Sequence, residues 1–213
     1  MERTIHITGK GYLKETPDQI RFSFDVKDHQ WEYGDAIDRV NTKVEVLKEL
    51  VNTAGIERSA VKSTSFSIDK STIYDDKKKT YNFNGYIATH KMILRITLDN
   101  NLINRVIKLI TEHFSDLDFR IKFEIADPRN KETELIENAV QNARENAEIL
   151  AKASGVKLKE IQRINYSFSE ISYISRSEFE VETNYLMEAT TMSEFTPDDI
   201  ELNKNVSITW TIE

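Results

Sequence analysis

The chain nearly repeats itself at an offset of 100 residues. Two helix-like stretches end alike, one at Ala54-Gly55-Ile56 and the other at Ser154-Gly155-Val156. A match at fixed spacing indicates one supersecondary unit used twice, although no catalytic motif accompanies it. The matched apolar pairs are Ala36 with Ile136, Val40 with Val140, Leu47 with Ala147, Leu50 with Leu150 and Val51 with Ala151.

The first repeat, about 18–98, reads as strand, helix, strand, strand. Apolar and polar residues alternate from Ile20 to Val26, which predicts a strand with one buried face. Apolar residues at spacings of three and four predict a helix over 33–54, with Gly55 as a left-handed C-cap. The two further strands are predicted at 61–73 and 81–98.

The second repeat, about 118–213, is predicted to have the same order. Its helix covers 131–153, and its alanines permit a close approach to a sheet. The predicted buried stripe of this helix is Ile136, Val140, Ala143, Ala147 and Leu150. The remaining predicted elements are strands at 119–126, 161–174 and 201–212, a helix at 100–114 that bridges the repeats, and an irregular stretch at 176–198.

An N-terminal strand, Thr4–Gly9, completes the predicted fold, with Gly9 and Gly11 punctuating its end. This Gly-x-Gly is too short for a dinucleotide-binding fingerprint, and no cofactor is expected. The sequence predicts an α+β fold in one domain, 1–213, in which antiparallel strands pack against two long helices.

Composition excludes several classes of function. A net charge of −7 disfavours nonspecific nucleic-acid binding, and the short run Lys77-Lys78-Lys79 is best explained as a solvated hairpin tip. The absence of cysteine excludes disulfides and thiolate chemistry. No apolar run approaches the roughly 20 residues that span a bilayer. A cytoplasmic location is expected if Met1 is the native start, and the cell envelope or periplasm if a signal peptide was trimmed.

Three sets of polar residues are candidates for catalytic or metal sites, and none is predicted to be one. The histidines lack metal-ligand spacing. They are His6, His29, His90 and His113. The carboxylates at the start of the second long helix suit its dipole better than paired-carboxylate catalysis. They are Asp127, Glu132, Glu134 and Glu137. The serines alternate along strands without a nucleophile-elbow motif. They are Ser63, Ser65, Ser67, Ser167 and Ser169.

The C-terminal third is rich in aromatic residues, which predicts core packing or a protein interface rather than base stacking. These residues are Tyr166, Phe168, Tyr173, Phe179, Tyr185 and Phe195. Leu186-Met187 and Met192 lie in the irregular stretch, where exposed apolar residues often contact a partner.

Four stretches, in this order and spacing, resemble one known family. They are residues 5–11 with Pro17-Asp18, Gly55-Ile56 with 61–68, the alanine-bearing helix 139–153 with 155–158, and 197–201 with the closing strand. The chain resembles the SIMPL domain (DUF541) family, which includes periplasmic and outer-membrane-associated immunogenic proteins of bacteria. The resemblance covers nearly the whole chain. It implies a protein prone to self-assembly, with no agreed active site to transfer.

The preferred hypothesis is a non-enzymatic, self-assembling or binding protein of the SIMPL type. We expect a homo-oligomer in which 176–198 or a strand edge makes contacts between chains. One alternative is a module that binds a lipid or metabolite in a groove between the two repeats. The other is an enzyme of unrecognised class.

Overall fold

The structure is a computed structural model that describes residues 3–166, 171–174, 178–181 and 194–213. The helices within these residues are α1 (Tyr33–Thr53), α2 (Asn100–His113) and α3 (Glu132–Ala153). The strands within them are β1 (Thr4–Glu15), β2 (Gln19–Gln30), β3 (Lys62–Asp75), β4 (Thr80–Thr97), β5 (Asp118–Glu124), β6 (Leu158–Tyr166), β7 (Ser172–Ile174), β8 (Glu178–Val181) and β9 (Ile200–Ile212).

Contacts divide the chain into two compact units, each built on one antiparallel sheet, and the predicted α+β class is confirmed. The central unit comprises the described residues of Asp18–Glu124 and Ser177–Thr196. The terminal unit comprises the described residues of Met1–Pro17, Ile125–Arg176 and Pro197–Glu213.

In the central unit, the described strands follow the order β3-β4-β2-β5-β8. Helix α1 packs on β2 and β4, and α2 packs against α1. The rings of Phe22, Phe24 and Phe119 lie 5.9–6.1 Å apart between centroids, under these helices. Burial of each such ring contributes about 1.5–3 kcal/mol, so this cluster is a main source of the unit's stability.

The periodicity of α1 predicts its packing well. Its buried residues are Ala36, Val40, Val44, Leu47, Leu50 and Val51, as the stripe requires. Gly55 follows the helix with φ of +92°, which confirms the left-handed cap because other residues rarely adopt this conformation.

In the terminal unit, the described sheet has the order β1-β9-β6, and β7 pairs with another part of β9. Helix α3 packs on β1 and β9. Its buried line repeats every four residues. The line is Leu135, Ala139, Ala143, Ala147 and Ala151.

The two glycines of β1 are contact points for α3, and the prediction that they end the strand is wrong. β1 runs through both of them to Glu15, paired with β9 throughout. A Cβ added to Gly9 would overlap the carbonyl oxygen of Ala139 and lie 2.5 Å from the amide nitrogen of Ala143. The helix backbone therefore lies directly on the strand backbone at this point.

The predicted stripe of α3 is also wrong in part. Val140 is 36% exposed and Leu150 is 46% exposed, whereas the alanine line is buried. The close approach to β1 explains this result, because only alanines fit between two backbones at such short range. The larger apolar residues are turned away from the contact.

The strand assignment within the repeats needs a second correction. β5, predicted to open the second repeat, pairs with β2 of the central unit from Gln19 to Asp25. The terminal unit opens with β1 instead, so the two units share the orders β3-β4-β2 and β6-β9-β1. The helix predicted to bridge the repeats, α2, belongs to the central unit.

The predicted irregular stretch, 176–198, is described only in part. Residues 178–181 form β8, which pairs with β5. Phe195 packs on the central core, 6.1 Å from Phe123 between ring centroids, which confirms core packing for this aromatic residue. Residues 182–193, with Tyr185, Leu186, Met187 and Met192, lie outside the described residues, as do Phe168, Ser167 and Ser169.

The contact between Gly9 and α3 predicts that a single added methyl group destabilises the protein. Gly9→Ala should lower the free energy of unfolding by about 1–3 kcal/mol, because the added Cβ forces α3 away from β1. Urea unfolding followed by circular dichroism measures this change. Gly34→Ala is the matched control, since an added Cβ there meets no atom within 4 Å and should leave stability equal or slightly higher. Equal effects of the two substitutions would contradict the contact.

Candidate functional site

The most unusual surface of the central unit is a group of aromatic side chains at the end of the β3–β4 hairpin. We call it the aromatic surface. It consists of Trp31, Tyr33, Tyr74, Tyr81, Phe83 and Tyr86. Trp31 follows β2, Tyr33 begins α1, and the other four residues lie on the hairpin.

A β-bulge in β4 places the hairpin aromatics on one face. Lys70 of β3 pairs with Tyr86, whereas Thr72 pairs with Phe83, so three steps on β4 match two on β3. Phe83 therefore faces the same way as Tyr86, although plain alternation would put them on opposite faces.

The bulge is held by local backbone contacts. Gly85 has φ of +90°, and a Cβ there would overlap the carbonyl oxygen of Gln30. The imidazole Nε2 of His29 hydrogen-bonds to the carbonyl oxygen of Asn84. Glycine is therefore required at position 85 for both its dihedral angle and its lack of a side chain.

The rings contact one another in edge-to-face or tilted geometry. Ring centroids are 5.5 Å apart for Tyr33 and Tyr86, 5.2 Å for Phe83 and Tyr86, and 6.1 Å for Trp31 and Phe83. Tyr74 and Tyr81 form a second pair at 5.0 Å. Such contacts are worth about 0.5–1.5 kcal/mol each beyond burial, so they fix the rings before any partner binds.

This surface is exposed because the hairpin extends beyond α1. The helix begins at Tyr33 beside Tyr86, and its Lys48 lies near His90, so it runs away from the hairpin turn. The exposed fractions are 62% for Trp31, 53% for Tyr33, 46% for Tyr74, 73% for Tyr81 and 47% for Phe83. Clustered large apolar side chains in contact with water mark interaction sites.

The hairpin turn carries Lys77, Lys78 and Lys79, all exposed, as the sequence predicts. The carboxylate of Asp75 accepts the backbone N–H groups of Lys77 and Lys78 at 3.0 and 3.2 Å. The side-chain ammonium groups thus lie at the end of the aromatic surface.

The structure brings together one serine and one histidine that sequence analysis treated separately. Ser63 Oγ lies 2.7 Å from His90 Nε2, and Phe66 contacts the imidazole edge-on. Burial lowers the pKa of His90, and the charge of Lys48 lowers it further, so the ring is neutral at pH 7.

This pair lacks the arrangement that activates a serine. His90 Nδ1 is buried and has no hydrogen-bond partner among the described residues. A proton on Nδ1 would be a buried, unpaired donor, which costs more than an unpaired acceptor, so the proton belongs on Nε2. In that tautomer His90 donates to Ser63 and cannot accept its proton, as a general base must.

The other predicted polar sets are spread over the structure. Within the described residues, no group of three or more His, Asp or Glu side chains could hold a metal ion. His6 Nδ1 lies 2.9 Å from Thr209 Oγ1, and His113 Nδ1 lies 2.8 Å from the carbonyl oxygen of Leu109. Ser65 and Ser67 are exposed on β3.

The acidic cluster at the start of α3 contains one carboxylate with an unexpected partner. Glu132 bonds to Lys204 Nζ, and the Tyr166 hydroxyl donates to Glu132 Oε1 at 2.7 Å. The Lys204 side chain is only 2% exposed, and its Nζ lies 5.1 Å from the Tyr166 ring centroid. The sequence did contain a signal, since Lys204 occupies an inward position between Leu202 and Val206. Asp127 instead accepts the N–H of Arg129 at 3.1 Å.

The terminal unit also exposes apolar side chains, on α3 and on β6, which is an edge strand in the part of the chain that the structure describes. Ile161 and Ile164 of β6 are 50% and 54% exposed. Isoleucine side chains make none of the ring–ring contacts that position the side chains of the aromatic surface.

Among the described residues, no helix has the length and apolar character required to cross a membrane.

Comparison with models of known families gives a match over nearly the whole chain. The model of the SIMPL family, described as a protein of unknown function (DUF541), matches residues 5–210. No curated protein matches the chain.

The His90 geometry predicts a specific tautomer. Nitrogen-15 NMR at pH 7 should show a neutral ring protonated at Nε2, and titration should give a pKa below 6.5. Ser63→Ala is the companion variant and should retain the Nδ1 lone pair. A ring protonated at Nδ1 instead would show that Nε2 accepts from Ser63, and would contradict the argument against an activated serine.

The Glu132–Lys204 pair predicts that its contribution to the stability of the fold depends on pH. The hydrogen bond from Lys204, and then that from Tyr166, lowers the pKa of Glu132 below 4.5. The ionised carboxylate thus stabilises the fold above pH 4.5, and this stabilisation is lost as pH falls through the lowered pKa. Glu132→Gln should lower the urea midpoint at neutral pH, and its difference from the parent should shrink in acid. Glu134→Gln, exposed in the same turn, should change little at any pH. A Glu132→Gln effect that is constant with pH would be incompatible with this linkage.

Proposed function

The chain belongs to the SIMPL family, and from that premise we propose that it functions by self-assembly, with the aromatic surface as the contact between two copies. The observation that carries this proposal is the group of exposed rings beyond the N-terminal end of α1. Trp31, Tyr81 and Phe83 expose between 47% and 73% of their area in the single chain. Burial of such rings is the main source of energy at protein interfaces.

The aromatic surface suits a protein partner because its rings are already positioned. Ring contacts at 5.0–6.1 Å restrict side-chain rotation before binding. Association then loses less side-chain entropy, which is one of its larger costs. Tyrosine and tryptophan are also the residues that dominate interface energetics, since each joins a large apolar area to a polar group.

A second copy is the partner that best explains an exposed face beside an open sheet edge. β3 is the edge strand of the central sheet in the described residues, and 14 residues long. In a dimer with a twofold axis, the aromatic surface of each copy would cover the aromatic surface of the other.

The ring-bearing face, rather than the β3 edge itself, is the better candidate for this contact. β3 departs from regular pairing with β4 between Ser63 and Ser65 and again between Lys70 and Thr72. Irregular, lysine-bearing edges discourage strand addition. The expectation that 176–198 or a strand edge forms the contact stays a prediction.

The other hypotheses have less support. The aromatic surface is an open face, whereas small ligands bind in concave pockets. The Ser63–His90 pair provides no general base in its favoured tautomer, and the proposed role requires no catalysis. Ligand binding and catalysis therefore stay predictions from the sequence.

The proposal predicts that removal of two rings dissociates the assembly. The double variant Trp31→Ala, Phe83→Ala should weaken self-association about 30-fold or more, since an interface hot spot contributes about 2 kcal/mol. Sedimentation velocity over a micromolar concentration series measures the change, and far-ultraviolet circular dichroism checks the fold.

The matched control is Tyr12→Ala, which removes an exposed ring from β1 of the terminal unit. This variant should assemble as the parent does. A parent chain that is monomeric across the series would refute self-assembly. Equal weakening by Tyr12→Ala and by the double variant would refute the aromatic surface as the contact.

A further inference from the structure

The outer face of the central sheet, opposite α1, carries a row of three positive charges. Arg95 of β4, Arg21 of β2 and Lys122 of β5 lie directly opposite one another in the strand register. Like charges in this position repel each other and destabilise a sheet. The row therefore requires negative charge nearby, in a chain whose net charge is −7.

One carboxylate is shared by the two arginines. Glu124 Oε1 lies 2.9 Å from Arg21 NH1, and Glu124 Oε2 lies 3.1 Å from Arg95 Nε. The Glu124 side chain is only 11% exposed, so it is held firmly between the guanidinium groups. Lys122 lies opposite Glu178 of β8 in the strand register.

Within the described residues, these ion pairs leave the two arginines in excess. Glu124 supplies one negative charge to two guanidinium groups. Arg21 Nε is buried without a hydrogen-bond partner among the described residues. Within the same residues, the side chain of Arg95 bonds to Glu124 through Nε, and the side chain is 44% exposed.

We propose that Arg21 and Arg95 form a binding site for an oxyanion of the phosphate or sulfate type. The planar guanidinium group presents paired N–H donors that match two oxygens of such an anion. A bound anion supplies the missing negative charge beside Glu124. The site lies on the opposite sheet face from the aromatic surface, so it is independent of self-assembly.

Competition with Glu124 gives the proposal its sharpest test. Glu124→Gln removes the shared carboxylate and leaves both guanidinium groups without an anionic partner. Inorganic phosphate should then raise the thermal midpoint of this variant more than that of the parent, because a ligand that binds only the folded state stabilises it. Its dissociation constant should also be lower for the variant.

Binding is measured by NMR titration of the arginine Nε–H signals with inorganic phosphate, with ionic strength held constant by sodium chloride. Arg95→Gln should weaken phosphate binding about tenfold or more, since a hydrogen bond to a charged group contributes at least that factor. Phenyl phosphate, titrated in parallel, distinguishes the source of the anion. Tighter binding of the ester indicates a phosphorylated ligand and equal or weaker binding a free anion, and both support the site.

Lys27→Gln is the matched control, because Lys27 is an exposed cation on the same face of β2, outside the row. It removes the same charge as Arg95→Gln and should leave phosphate binding unchanged. Equal losses of phosphate affinity in the two variants would show that general electrostatic attraction explains the binding, and would overturn the site. Phosphate shifts no larger than those of chloride, in both the parent and Glu124→Gln, would overturn it as well.

Discussion

The backbone contact between α3 and β1 determines how the terminal unit is built. Two glycines on the strand and a line of alanines on the helix allow the two backbones to approach without intervening side chains. Packing at this distance forms many dispersion contacts, although each residue buries little area. It also fixes the rotation of α3 about its axis, which leaves Val140 and Leu150 exposed. The central unit differs, because its helix α1 packs over large side chains such as Phe22 and Phe24.

Much of the fold could be predicted because hydrophobic periodicity reports directly on burial. The bounds of α1 and α2 and the inward residues of β2 and β9 all follow from it. The role of the β1 glycines does not follow from sequence, because a glycine that ends a strand and a glycine that admits a helix look alike there. The alanines of α3 do predict its close approach to a sheet, and Ala143 and Ala147 belong to the predicted stripe. Apolar area, however, favours Ile136, Val140 and Leu150 over Ala139 and Ala151, and area alone does not reveal which face is close to a sheet. The placement of β5 beside β2 depends on long-range pairing, which local patterns do not encode.

The aromatic surface was missed for a different physical reason. Its residues come from the end of β2, the start of α1 and both strands of a hairpin, so no window of sequence contains them. The bulge at Asn84 and Gly85 then reverses the alternation that would otherwise separate Phe83 from Tyr86. The polar contacts around Glu124 and Lys204 were equally hidden, because each joins residues distant in the chain. Only the inward position of Lys204 carried a local signal.

The bulge in β4 has a consequence for how this protein can change over evolutionary time. Because it contains one residue more than regular pairing needs, loss of a single codon there would restore simple alternation. Phe83 and Tyr86 would then be two positions apart, so simple alternation alone would keep Tyr81, Phe83 and Tyr86 on one face of the hairpin. A relative one residue shorter at this point could therefore keep the ring-bearing face without the bulge and without a glycine at position 85.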